Sequence, residues 1–168
     1  MKRFIASIVV LAVALEASLA YAVDSKGAAY YGGTLTTFTG AKDPVEGTLD
    51  TANEKALVFS ATDKHYKGKT FSIPYDRVID LEYGQKAGRR VGAAVATTVL
   101  LGPIGLVALL SKKRNHFLTI GFKDDAGKDQ VAVIELGKDI VRVTLPIVET
   151  RSGKKVEHQD EEARNSAK

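Results

Sequence analysis

The sequence contains no cysteine and no tryptophan, and it has only three histidines. Without cysteine neither a disulfide nor a thiol nucleophile is available, so packing alone must hold the fold. His65, His116 and His158 are not spaced like zinc ligands, and no serine-nucleophile motif is present. We therefore expect no catalysis, no cofactor and no metal, and for His116 we expect a solvated surface role.

The sequence also lacks a strong excess of charge of one sign. Its formal net charge is +4, from 24 Lys and Arg against 20 Asp and Glu. Such a balance does not provide the strongly basic surface that nucleic-acid binding usually requires, but it permits contact with anionic lipid head groups. As partners we expect a membrane surface or an apolar protein and no nucleic acid, and a homo-oligomer is compatible with the sequence.

Residues 1–22 have the three parts of a secretory signal peptide. Lys2 and Arg3 precede an apolar run at 4–15, and the small residues Ala20 and Ala22 stand where a signal peptidase requires them. An uncleaved anchor is the alternative, but the apolar run is shorter than the roughly 20 residues that span a bilayer. We expect cleavage after Ala22 and a location in the periplasm or cell envelope.

Short alternating segments bounded by turn residues fill most of the chain between 29 and 136 and predict about seven antiparallel strands. We expect these strands at 30–39, 45–50, 55–62, 69–73, 77–83, 116–123 and 129–136, with a glycine-containing hairpin turn between the last two. Alternation in the strand at 77–83 places Asp80 and Glu82 on a face that we expect to be solvated. The predicted fold class is mainly β.

Apolar residues after Gly137 recur at helical spacing and predict one C-terminal helix. We expect Asp139 to cap this helix, Pro146 to kink or divide it, and Gly153 to end it. Residues 153–168 are polar and charged with a single valine, which predicts a disordered tail. The folded domain is therefore expected to span residues 29–152.

The segment at 73–84, which reads IPYDRVIDLEYG, resembles the stretch in which pleckstrin-homology-like (PH-like) domains turn from one sheet to the next. The order of predicted elements is also similar to that family, especially to its GRAM and bacterial PH-type members. This resemblance implies an antiparallel barrel with a terminal helix at one open end. Many members of the family bind phosphoinositides through several basic residues in the first hairpin loop. Here that loop offers Lys42 against Asp43 and Glu46, so we do not expect phosphoinositide binding.

Residues 91–110 form a run of 20 residues without a charge, with basic residues on both sides. A single transmembrane helix fits the length, since 20 residues rise about 30 Å, but the Gly-Pro-Ile-Gly sequence at 102–105 breaks such a helix. A helical hairpin with its tip at 102–105 would return the chain to where it left the domain. A segment packed on the domain's own core is the third interpretation.

The hairpin interpretation gives a functional hypothesis, a non-enzymatic exported domain that its hydrophobic insertion attaches to a membrane or an apolar partner. The alternative is a structural protein whose Gly- and Ala-rich hairpins pack together between subunits. The residues expected to make the contact are Arg89, Arg90, Val91, Val95, Val99, Leu100, Leu101, Ile104, Leu106, Leu109, Leu110, Lys112, Lys113 and Arg114.

Overall fold

The structure, a computed structural model, describes residues 26–85 and 115–166. The predicted signal peptide and the hydrophobic insertion lie outside the described residues. A 3₁₀ turn (Tyr75–Arg77) joins the fourth and fifth strands, and the helices are α1 (Lys138–Ser152) and α2 (Glu161–Ser166). The strands are β1 (Lys26–Gly33), β2 (Val45–Asp50), β3 (Ala56–Ala61), β4 (Thr70–Pro74), β5 (Val78–Gly84), β6 (His116–Lys123), β7 (Asp129–Leu136) and β8 (Val156–His158).

These strands form one sheet in the order β4-β3-β2-β1-β7-β6-β5-β8. The fold is thus mainly β with one long C-terminal helix, as the sequence predicts. Neighbouring strands run antiparallel except for β8, which lies parallel to β5. Among the described residues the outer strands β4 and β8 do not pair, so the sheet is not closed. It differs in this from the closed barrel that we expected, because β8 occupies the edge of β5.

The first strand begins and ends earlier than predicted, whereas β2, β6 and β7 have the predicted bounds. Strand β1 ends at Gly33 because Gly32 and Gly33 adopt φ angles of 138° and 134°, which side-chain-bearing residues rarely adopt. The chain then folds back and buries Phe38, whose ring centroid lies 5.3 Å from that of Tyr30 and 6.0 Å from that of Phe71. The predicted strand at 30–39 therefore contains the end of β1 and a loop that covers the core.

Helix α1 packs against the core through apolar residues spaced three or four positions apart, and the full burial of each aliphatic side chain contributes about 1.5–3 kcal/mol. Near its C-terminal end, Arg151 Nη1 donates to the carbonyl oxygens of Thr51 and Asn53. The guanidinium also lies 5.5 Å from the ring centroid of Tyr75. Arg151 therefore joins the helix to the loop after β2 and to the 3₁₀ turn. The buried residues of α1 are Ile140, Val141, Thr144, Leu145 and Val148.

The ends of α1 agree only in part with the prediction. The N-cap is Gly137 and no side chain caps it, so the expectation for Asp139 was wrong. Asp139 instead lies in the first turn, where its charge favours the positive end of the helix dipole. Pro146 lies inside one continuous helix and does not divide it, since buried residues on both sides hold the helix to the core. Gly153 ends the helix in the left-handed conformation as predicted, and its N–H donates to Glu149 O over 3.0 Å.

The polar tail, expected to be disordered, contains β8 and α2. Val156 and Ala163 are 9% and 0% exposed, and they anchor the segment to the core. The Gln159 N–H also donates to Tyr83 O over 3.0 Å. The prediction failed because two isolated apolar residues produce no detectable period, and the partner strand lies far away in the sequence.

The end of β1 provides a test of the backbone geometry. A Cβ added at Gly33 would overlap the carbonyl of Val131, whereas a Cβ at Gly32 would meet nothing within 4 Å. Both positions have positive φ, so Gly32→Ala should cost about 1–2 kcal/mol of unfolding free energy and Gly33→Ala about 3 kcal/mol or more. Urea denaturation of both variants measures the difference. Equal losses at the two positions would contradict the close approach of β1 and β7.

Candidate functional site

The residues that the sequence predicts to contact a membrane or partner, at 89–114, all lie outside the described residues. The structure does place the two ends of the chain from which this segment departs. Strand β5 ends at Gly84 and β6 begins at His116, and the two strands are antiparallel neighbours. We call the four residues Tyr83, Gly84, His116 and Phe117 the root of the segment at 86–114.

Pairing at the root brings the outgoing and returning chain together. Gly84 pairs with Phe117 and Tyr83 pairs with Leu118, and neighbouring strands lie about 4.8 Å apart. The segment at 86–114 therefore leaves and rejoins the sheet at one place. A single span would put the strands before and after it on opposite sides of a membrane, and their pairing in one sheet contradicts that interpretation. The hairpin and the self-packed segment are both compatible with the pairing.

A buried tyrosine and a half-buried histidine form the polar part of the root, and a second histidine, from β8, packs against the tyrosine. Tyr83 is 0% exposed, and its hydroxyl is hydrogen-bonded to His116 Nδ1 over 2.5 Å. The two rings are nearly parallel, with 6.0 Å between centroids, and the ring of His158 from β8 lies edge-on to Tyr83 at 5.8 Å. His116 is half-buried in this cluster, so the predicted solvated role was wrong.

Burial and the neighbouring Lys138 favour the neutral form of His116. Burial lowers the pKa of His116 from 6.5, the nearby Lys138 lowers it further, and Glu135 acts in the opposite direction. A neutral imidazole has one nitrogen without a proton, so Nδ1 can accept a hydrogen bond from the Tyr83 hydroxyl. The hydrogen bond at the root therefore belongs to the form of the protein present near neutral pH.

Tyr31 adds a third aromatic ring beside the root. Its ring meets that of Phe117 edge to face, with 4.9 Å between centroids. Burial raises the pKa of the Tyr31 hydroxyl to about 12, with further contributions from its hydrogen bond to Glu135 and from the charge of that carboxylate. The strand ends from which the segment departs are thus held by packed aromatic rings.

Glu82 lies on the seam between β5 and β8, and Asp80 is hydrogen-bonded to β6, although the sequence predicts a solvated face for both. Glu82 is 6% exposed, and Gln159 Nε2 donates to its Oε1 over 2.7 Å. Asp80 is half-buried and accepts from the Gly121 N–H over 3.1 Å. Burial raises the pKa of Asp80, the Gly121 N–H lowers it, and the charge of Glu157 raises it. The prediction failed because it could not foresee that β8 would cover this edge.

Within the described ranges, no group of three or more His, Asp or Glu side chains could hold a metal ion. None of the helices in that part of the chain is long and apolar enough to cross a membrane. Comparisons with family models, curated proteins and solved structures found no match to this chain. The candidate site is therefore defined by its own geometry, as the place where one strand pair presents the segment at 86–114.

Protonation of His116 should make stability depend on pH. The folded-state pKa lies below the unfolded value of 6.5, so on acidification the unfolded chain takes up a proton before the folded one does. The contribution of His116 is thus present above pH 6.5 and is lost as the pH falls through the folded-state pKa. We expect urea denaturation to show a smaller loss between about pH 7.5 and 5.5 in His116→Asn than in the unmodified protein.

The exposed His65 provides the matched control, since its side chain is 84% exposed and lies in a turn away from the root. His65→Asn should leave the pH dependence as it is in the unmodified protein. An unchanged pH dependence in His116→Asn would show that the Tyr83–His116 pair does not contribute to it.

Proposed function

We propose that this chain is a non-enzymatic, exported, PH-like binding domain, attached to a membrane surface by a hydrophobic hairpin at 91–110. The observation that supports this most directly is the pairing of Gly84 with Phe117. It requires the intervening segment to return to its starting point, as a hairpin does. An apolar protein partner or a second copy of the chain would use the same segment, and the experiment below separates these outcomes.

The length of the segment suits insertion into one leaflet. Its Gly-Pro-Ile-Gly sequence at 102–105 would form the tip, leaving a first arm of 11 residues at 91–101 and a second arm that begins at 106 and ends at 110 or slightly beyond. At 1.5 Å per residue the first arm reaches about 16 Å, which is half of a hydrocarbon core about 30 Å thick. A hairpin of this size would anchor the domain while the whole sheet stays on one side of the membrane.

The charges that flank the segment support an anionic surface as the target. Arg89 and Arg90 precede the apolar run, and Lys112, Lys113 and Arg114 follow it, the last of these next to the described residue Asn115. Each Lys or Arg held near anionic lipid contributes about 1 kcal/mol. The apolar segment and its basic flanks would thus act together at the interface.

The strand order supports the PH-like part of the proposal. Seven strands form an antiparallel arrangement and are followed by a C-terminal helix. The sequence IPYDRVIDLEYG, which resembles the family, contains the end of β4, the 3₁₀ turn and β5. It therefore connects the strand at one edge of the sheet to a strand near the opposite edge.

Deletion of residues 91–110, with a short Gly-Asn-Gly turn in their place, tests the attachment. Because β5 and β6 are antiparallel neighbours, a shorter loop can join them, made of residues 85–90, the inserted turn and residues 111–115. The variant should therefore fold with the unfolding free energy almost unchanged. We expect the full exported chain to sediment with membranes and to resist carbonate extraction. The deletion variant should remain in the supernatant.

Charge variants separate the lipid contribution from the apolar one. Replacing Arg89, Arg90, Lys112, Lys113 and Arg114 by Gln should weaken sedimentation with anionic vesicles, and added salt should weaken it in the unmodified protein. Replacing the exposed Lys64 and Lys67, in the turn after β3, is the control and should have little effect. A soluble monomer with and without residues 91–110 would overturn the proposal and support self-packing, whereas a hairpin-dependent oligomer that ignores vesicles would support assembly between copies.

A further inference from the structure

The last strand extends the sheet at the outer edge of β5, and the last helix follows this strand. We call residues 156–166, which comprise β8 and α2, the strap. It follows α1 after a connection of three residues at 153–155, and it pairs with Leu81, Glu82 and Tyr83 of β5. Among the described residues, β8 and β5 form the one parallel pair of strands.

We propose that the strap is a releasable cover that closes over the root and opens by local unfolding while the rest of the sheet stays folded. In the closed state it fixes the end of β5, from which the segment at 86–114 departs. In the open state the outer edge of β5 is exposed to solvent. This conformational device is independent of what the segment binds, and so it does not depend on the proposed function.

The strap has little apolar contact with the domain. Its buried apolar side chains are Val156 and Ala163, whereas β6 buries six of its eight residues and β7 five of its eight. Since local stability depends on buried apolar contact, a short segment with two such side chains should open more readily than the central strands. The three-residue ladder of β8 adds few backbone hydrogen bonds to hold it.

Carboxylates on both sides of the seam also weaken closure. Glu157 of β8 pairs in register with Glu82 of β5, and the charge of Glu157 also reaches Asp80. Like charges on neighbouring strands are destabilising. One hydrogen bond acts in the opposite direction and holds the strap to α1, since the Val156 N–H donates to Glu149 Oε1 over 3.1 Å.

Gln159 is the residue that joins the strap to the root. Its N–H donates to Tyr83 O over 3.0 Å, and its side-chain amide donates to Glu82 Oε1 over 2.7 Å. The same side chain lies so close over Gly84 that a Cβ added there would overlap it. Glycine at position 84 therefore permits the strap to close over the last residue of β5.

This contact allows a double-mutant cycle with Gly84→Ala and Gln159→Ala. Hydrogen exchange of the full chain, followed by mass spectrometry, should show that strap amides in Gly84→Ala exchange about tenfold faster than in the unmodified protein. Because the added methyl group acts by displacing the Gln159 side chain, Gly84→Ala should have no further effect in the Gln159→Ala background. The amides of β7 at 131–134 should keep their protection in every variant.

The control is Asn165→Ala, an exposed position on α2, which should leave the exchange of the strap unchanged. Two results would overturn the proposal. One is strap protection in the unmodified protein equal to that of β6 and β7, since the strap would then open only with global unfolding. The other is an equal effect of Gly84→Ala with and without Gln159. Neither measurement involves a membrane, so a failure of membrane attachment would leave the strap proposal standing.

Discussion

The pairing of β5 with β6 is the constraint on which the rest of the structure depends. It places Gly84 opposite Phe117, so a segment of almost thirty residues must begin and end within one strand spacing. Backbone hydrogen bonds and the rings of Tyr83, His116 and Phe117 hold this pairing in place. Because the strands on both sides of the segment belong to one sheet, the sheet can stay intact whatever the segment contacts.

The two edges of the sheet are kept from pairing with another chain in different ways. At one edge β4 is short, with Lys69 before it and Pro74 at its end, and both features discourage pairing with another chain. At the other edge the chain supplies its own strand, β8, which covers β5 and buries Glu82 and Tyr83. The edge beside the root is thus covered by β8, a strand with little apolar contact. The opposite edge, β4, is protected by its short length and by Lys69 and Pro74.

The sequence predicted those elements whose bounds are set by neighbouring residues along the chain. Strands β2, β6 and β7 have the predicted bounds because alternation and turn residues define them, and Gly127 supplies the positive φ of the predicted hairpin turn. The strap, the burial of Glu82 and the Tyr83–His116 bond depend on contacts between distant parts of the chain, which no periodicity reveals. The only sequence signal for the root was its position beside the apolar run, and the contact residues predicted within that run remain a prediction.

The central claim is that the segment at 86–114 leaves and re-enters on the same side of whatever it contacts. The absence of cysteine makes a direct test possible, with single-cysteine variants at Gln85 and Asn115, the described residues that flank the segment. In sealed vesicles carrying the protein, a membrane-impermeant maleimide added outside should label both positions or neither. Labelling of one position from outside and of the other only after the vesicles are opened would contradict the account.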